Sequence, residues 1–148
     1  MRLVIQRVRR AEVRVGDRTA GSIGKGLLVL IGAEVGDDTA ASEDAARRVA
    51  GLRIFEDSSA KMNLALSDVG GSVLAVSQFT LAADLTRGRR PGFERALPGR
   101  DAEPLYDRFV AALRALGVPV ATGVFGAPME VELINEGPAT FVLEVRSR

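Results

Sequence analysis

Four consecutive residues, Ser77-Gln78-Phe79-Thr80, follow the apolar run Val73-Leu74-Ala75-Val76. A buried strand that ends in three polar side chains offers hydroxyl and amide groups beside an aromatic ring, which is the equipment for gripping a base or a sugar. Strict alternation places Ser77 and Phe79 on one face and Gln78 and Thr80 on the other. The plain alternative is a strand end whose polar side chains bond to its own backbone. A second candidate, Asn135-Glu136-Gly137-Pro138, reads as a hairpin turn between two alternating segments. Were its Gly-Pro bond cis, two consecutive carbonyls would aim to nearly one side, an acceptor pair able to bind an ammonium or exclude a side chain. The third is an arginine-rich stretch: Arg87, Arg89, Arg90, Arg95 and Arg100, with Phe93 among them. It is either a solvated loop or a phosphate-gripping flank beside Thr80.

What is missing narrows the chemistry further. The chain has 148 residues, with no cysteine and no histidine. It therefore cannot build a Ser-His-Asp triad, a Cys-His dyad, a disulfide or a zinc site of the usual Cys/His type. Hydrolysis would have to use a hydroxyl, a carboxylate, backbone groups, an added metal or the substrate itself. No clustered Asp/Glu motif reads as a cation cage, so neither a metal nor a cofactor is expected. Glu130 and Glu132 alternate with apolar neighbours and are expected to face solvent, while Gly24-Lys25-Gly26 and Gly70-Gly71 lack P-loop spacing and read as turns. The net charge is +1, not the balance of a protein that holds nucleic acid by bulk charge. Lys25 and Lys61 are the only lysines, so eighteen of the 20 basic residues are arginine. That excess reads as the mark of a GC-rich genome, and only the clustering of the arginines carries information. The longest apolar run, residues 27–31, is far below the roughly 20 residues that span a bilayer. No secretory segment is recognisable, so a cytoplasmic protein without a membrane partner is expected.

The elements that must position these candidates follow from periodicity. Leu3, Ile5 and Arg7 alternate with Val4, Gln6 and Val8, and Val13 and Val15 carry a strand to a turn at Gly16-Asp17. The unbroken run 27–31 predicts a strand buried on both faces. Over residues 39–52 the period changes to that of a helix, with Ala41, Ala45, Val49 and Leu52 on one face. Asp37, Asp38 and Thr39 are its candidate caps, and Glu43–Arg47 and Asp44–Arg48 its candidate ion pairs. A second helix is expected to be capped by Asp101, to carry Pro104 in its first turn and to bury Leu105, Phe109, Ala112, Leu113 and Leu116 before Gly117 stops it. Residues 83–100 read as irregular. Residues 129–133 and 141–145 read as two final strands. Residues 1–148 are thus expected to form a single α+β domain, a curved, barrel-like β-sheet with two helices.

The motifs Ser77-Gln78-Phe79-Thr80-Leu81, Arg87-Gly88-Arg89-Arg90-Pro91-Gly92-Phe93 and Asn135-Glu136-Gly137-Pro138-Ala139-Thr140, with Ile5-Gln6-Arg7-Val8 and Lys61-Met62-Asn63-Leu64, resemble those of the D-aminoacyl-tRNA deacylases. The resemblance spans essentially the whole chain. Ala139 stands where the family usually has valine, and Gly92 where serine is common. The resemblance implies hydrolysis of the ester joining a D-amino acid to the 3′-terminal adenosine of tRNA, and admission of glycyl-tRNA mischarged on tRNA(Ala). It implies a homodimer whose active site lies at the subunit interface, with a Gly-cis-Pro pair from one subunit excluding L side chains at the other. By that resemblance Phe79 and Met129 line the adenosine pocket, and Ser77, Gln78 and Thr80 hold the reacting end. Arg7 supports the inserted Gly137-Pro138. Thr80 as nucleophile and RNA-assisted attack by water remain rivals on these residues. A non-catalytic tRNA- or RNA-binding module, or a hydrolase of another small ester, would use the same side chains.

Overall fold

The computed structural model describes residues 1–147. Strand β1 (Arg2–Val15) turns at Gly16, whose φ of +58° suits a residue without a Cβ, and returns as β2 (Arg18–Ile23). Strand β3 (Gly26–Gly32) runs antiparallel to the first half of β1. Helix α1 (Thr39–Gly51) follows, then a small hairpin of β4 (Phe55–Glu56) and β5 (Met62–Leu64) and the single-turn helix α2 (Leu66–Val69). Strand β6 (Ser72–Ser77) lies parallel to β3. After a 3₁₀ turn (Phe79–Ala82) and an irregular stretch come α3 (Gly99–Ala115), β7 (Val120–Thr122), parallel to β6, and β8 (Glu130–Glu144), antiparallel to β1.

The main sheet has the order β2-β1-β3-β6-β7, with β8 on the other edge of β1. It curls until its ends touch: a Cβ added at Gly21 of β2 would lie 2.5 Å from the Thr122 carbonyl oxygen of β7. The α+β, barrel-like architecture expected from periodicity is therefore present. The curl has two apolar sides. Val8, Ala11, Val13, Leu28, Leu74 and Val76 fill its inside, while Leu27, Val29, Val73 and Ala75 pack outward against α1 and α3. Strand β3 contributes to both, which is why its sequence is apolar without alternation.

Several local expectations are corrected. Among the described residues the α-helices number three and not two, because α2 is too short to show a period. Asp38 caps α1, accepting from the Ala41 N–H at 2.9 Å. Asp44–Arg48 pairs as expected at 2.8 Å, but Glu43 is taken by Arg108 of α3 and not by Arg47. Asp101 lies inside the first turn of α3, whose N-cap is Pro98. Leu116 follows the last turn and is half exposed, whereas Tyr106 and Val110 are buried in the stripe. The two final strands are one. The ladder pairs Gln6 with Thr140 and Val8 with Asn135, so residues 136–139 form an excursion opposite the single residue Arg7, and no hairpin turn exists there.

Candidate active site

A cleft of about 560 Å³ opens at the C-terminal ends of the parallel strands β3 and β6. Strand ends at this position of a sheet commonly frame ligand sites. Ile31 and Ala33 form one side, Val76, Ser77, Gln78 and Phe79 the floor, and Met129 and Val131 the side entering β8. Residues 96–98, Ala102 and Tyr106 of α3, and Phe125 complete the wall. Ser77 and Gln78 are polar groups in a largely apolar lining.

The floor is held by backbone geometry. Ser77 ends the ladder, and the Gln78 N–H donates to the Ile31 carbonyl at 2.7 Å. The chain then tightens, with Leu81 N–H donating to the Gln78 carbonyl and Ala83 N–H to Thr80. Alternation therefore stops at Ser77, and the expected facing of Phe79 and Thr80 along a strand is corrected to a 3₁₀ turn. This turn sits hard against β3: a Cβ at Gly32 would lie 2.8 Å from the Gln78 carbonyl oxygen. From the other side the Arg2 Nη1 donates to the Leu81 carbonyl at 3.2 Å, while its Nη2 pairs with Glu144 at 2.8 Å. The Gln78 side-chain amide donates to the Thr80 hydroxyl.

Tyr106 ties α3 to the floor. Its hydroxyl donates to the Ala75 carbonyl at 2.9 Å, and burial pushes the phenol up to about 12. Sequence reasoning passed over Tyr106, yet it is the only tyrosine of the chain and lies three residues before Phe109 on the apolar stripe. Arg2 carried no such signal, because its contact with residue 81 depends on the fold. Phe79 is 57% exposed, and its ring lies 5.2 Å from that of Phe93 at an interplanar angle of 57°. Met129 rests on Gly123, where an added Cβ would come within 2.6 Å of the sulfur.

The expected site residues thus fall into two groups. Ser77, Gln78, Phe79 and Met129 share the cleft, with Thr80 joined to it through Gln78. Arg7, Gly137 and Pro138 lie together on β1 and β8 and are not among the residues that line the cleft. The Gly137–Pro138 peptide bond is cis. Both residues are exposed, whereas Arg7 is only 1% exposed. Its guanidinium donates to Ile54 O at 2.6 Å, Glu136 O at 3.2 Å and Gly137 O at 3.4 Å. Among the described residues, no cluster of three or more His, Cys, Asp or Glu could hold a metal ion, and no helix is long and apolar enough to cross a membrane.

The family model described as D-Tyr-tRNA(Tyr) deacylase matches residues 4–144. The chain belongs to this family. It is 53% identical over 148 residues to the D-aminoacyl-tRNA deacylase of Geobacter sulfurreducens, covering all of this chain and 97% of the relative. It is 56% identical over 144 residues to that of Symbiobacterium thermophilum, covering 97% and 95% of the two chains. Among solved structures, the c-Myc DNA Unwinding Element Binding Protein superposes with a TM-score of 0.93 at 39% identity, over 99% of this chain and 100% of that one. A probable eukaryotic D-amino acid tRNA deacylase shares the fold at a TM-score of 0.81 and 22% identity, over 96% and 98% of the two chains.

Proposed function

We propose that this chain hydrolyses the ester bond of D-aminoacyl-tRNA, releasing free tRNA and the D-amino acid. The observation that carries the reading is the convergence of Ser77, Gln78, Phe79 and Met129 on one cleft in a chain that matches the deacylase family over nearly its whole length. The 3′-terminal adenosine lies between Phe79 and Met129, and the ester points to Ser77, Gln78 and Thr80. Phe79 and Thr80 open the 3₁₀ turn, so their N–H groups have no acceptor within it and suit the oxygen that becomes negative as water adds. An aminoacyl ester is already activated by its neighbouring ribose hydroxyl. Positioning and oriented donors then supply most of the acceleration without a histidine base.

Chirality is read by exclusion. The Gly137-Pro138 excursion of a second copy closes the cleft in a homodimer and leaves no room for an L side chain. Two features support this. The excursion is exposed and braced from beneath by Arg7, and within its own chain it does not line the cleft. Glycyl-tRNA, including glycine mischarged on tRNA(Ala), carries no side chain to exclude and is also a substrate. Such a reaction belongs in the cytoplasm, where tRNA is charged.

Purified protein incubated with D-Tyr-tRNA, L-Tyr-tRNA, glycyl-tRNA(Ala) and a simple ester tests the reading directly. Rapid release from the first and third alone is expected. Binding of tRNA without release would make the chain an RNA-binding module, and turnover of the simple ester would make it a general esterase. Gly137→Ala separates the chiral role from folding. The nearest group to a new Cβ is the Asn135 amide nitrogen at 3.7 Å, an ordinary contact, so the variant folds. Its deacylation of D-Tyr-tRNA should fall at least tenfold, and an unchanged rate in a folded variant would overturn the exclusion model.

A further inference from the structure

Resting on the deacylase reading, we propose that Arg87, Arg89 and Arg90 form a phosphate grip at the rim of the cleft, taking the backbone of the RNA strand whose 3′ end enters it. Most arginines of the chain are already committed. Arg2, Arg10, Arg14, Arg48, Arg95 and Arg108 each pair with a carboxylate, and Arg7, Arg53 and Arg114 donate to backbone carbonyls. Paired guanidiniums present little net positive potential. Among the described residues Arg87, Arg89 and Arg90 make no ion pair and no hydrogen bond, and all three are exposed. Only Arg9 and Arg18 share that state among the other described arginines, and they lie apart on β1 and β2. A chain of net charge +1 thus concentrates free guanidinium within four consecutive positions.

The place of that concentration matters as much as its charge. Residues 85–91 form a protrusion closed at its base by two backbone bonds between Asp84 and Gly92, at 2.8 and 3.0 Å, with Gly88 at φ +69° in its bend. The base is fastened to the body by Arg95–Glu34 at 2.8 Å and by the Leu97 N–H on the Ala33 carbonyl at 3.1 Å. Phe93, immediately beyond the closure, packs on Phe79 of the cleft floor, and residues 96–98 are cleft wall. The protrusion therefore stands on the rim of the cavity that takes the terminal nucleoside. A strand leaving that cavity carries its phosphates past the rim, where planar guanidinium forks match phosphate oxygens. Contacts of this kind position the strand without reading its sequence.

The affinity of R87Q/R89Q/R90Q for uncharged tRNA, measured against salt concentration, tests the grip, with R9Q/R18Q as the control for free arginines elsewhere. Each phosphate contact contributes roughly 0.7 to 0.9 to the slope of log affinity against log salt. Between about 50 and 200 mM salt the wild type should then lose about 20- to 40-fold more affinity than the triple variant. The control should keep the wild-type slope. For D-Tyr-tRNA, the KM of the triple variant should rise by a larger factor than kcat falls. A wild-type slope in the triple variant, or an equal loss of slope per arginine in R9Q/R18Q, overturns the grip. If wild type deacylates and the triple variant keeps its slope, the grip falls and the deacylase reading stands. If wild type releases no amino acid while the slope falls only in the triple variant, the deacylase reading falls and the phosphate site stands.

Discussion

Thr80 presents a hydroxyl beside the cleft, but its oxygen accepts from the Gln78 amide and the chain has no histidine to take its proton. Thr80→Ala should therefore retain a measurable deacylation rate, within about a hundredfold of wild type, the scale of one lost oriented group. Trapping an acyl group on Thr80 by mass spectrometry would reverse that assignment. Arg7 presents the opposite case, a buried cation whose three donor nitrogens reach three carbonyls on two separate segments. Lysine carries its donors on one nitrogen and cannot span that fork. Arg7→Lys should cost about 2–3 kcal/mol of stability, since hydrogen bonds to a buried charged group are lost, and a urea midpoint unchanged from wild type would contradict this.

Among the elements, α1 was the most legible, because its cap, its apolar face and one of its ion pairs are all local. The Asp38 carboxyl is held below the usual carboxylate range first by the Ala41 N–H that it caps. Asp38→Ala removes the side-chain acceptor of that cap and should lower the Tm. Strand β8 was the least legible. Asn135-Glu136-Gly137-Pro138 carries the residue types of a turn, and nothing local reveals that one ladder resumes beyond it. What keeps the strand continuous is Arg7, about 130 positions away in sequence. For Ser77-Gln78-Phe79-Thr80 the sequence left two readings, a ligand-gripping strand end and a strand end that bonds to its own backbone, and neither included the 3₁₀ turn. That turn is packed against Gly32 and held by Arg2, both remote in sequence, so no local pattern reveals it.

At the scale of the whole molecule, stability has an acid limb and an alkaline limb. Asp38, Asp44, Asp57, Asp84 and Glu132 are all held below their ordinary values, chiefly by backbone N–H groups, arginines or the Thr86 hydroxyl. Their contribution is present above the unfolded values near about 4 and is lost as the pH falls through the folded ones. Tyr106 moves the other way. Its contribution is full below about 10 and is lost as the pH rises toward about 12. Tm should thus hold from about pH 5 to 9 and fall on both sides, with Tyr106→Phe flattening the alkaline fall while losing the Ala75 hydrogen bond. An alkaline limb of unchanged steepness in that variant would sink the assignment.

The pairing of β8 has a practical result. It bonds to β1 along one edge only, so fifteen residues of backbone stand as a rim on which another strand could grow. Val142 and Ile134 make that rim sticky, and Glu130, Glu132 and Glu144 keep it charged. An edge of this length is where copies of a chain add strand to strand, and the charged side chains along it oppose that growth.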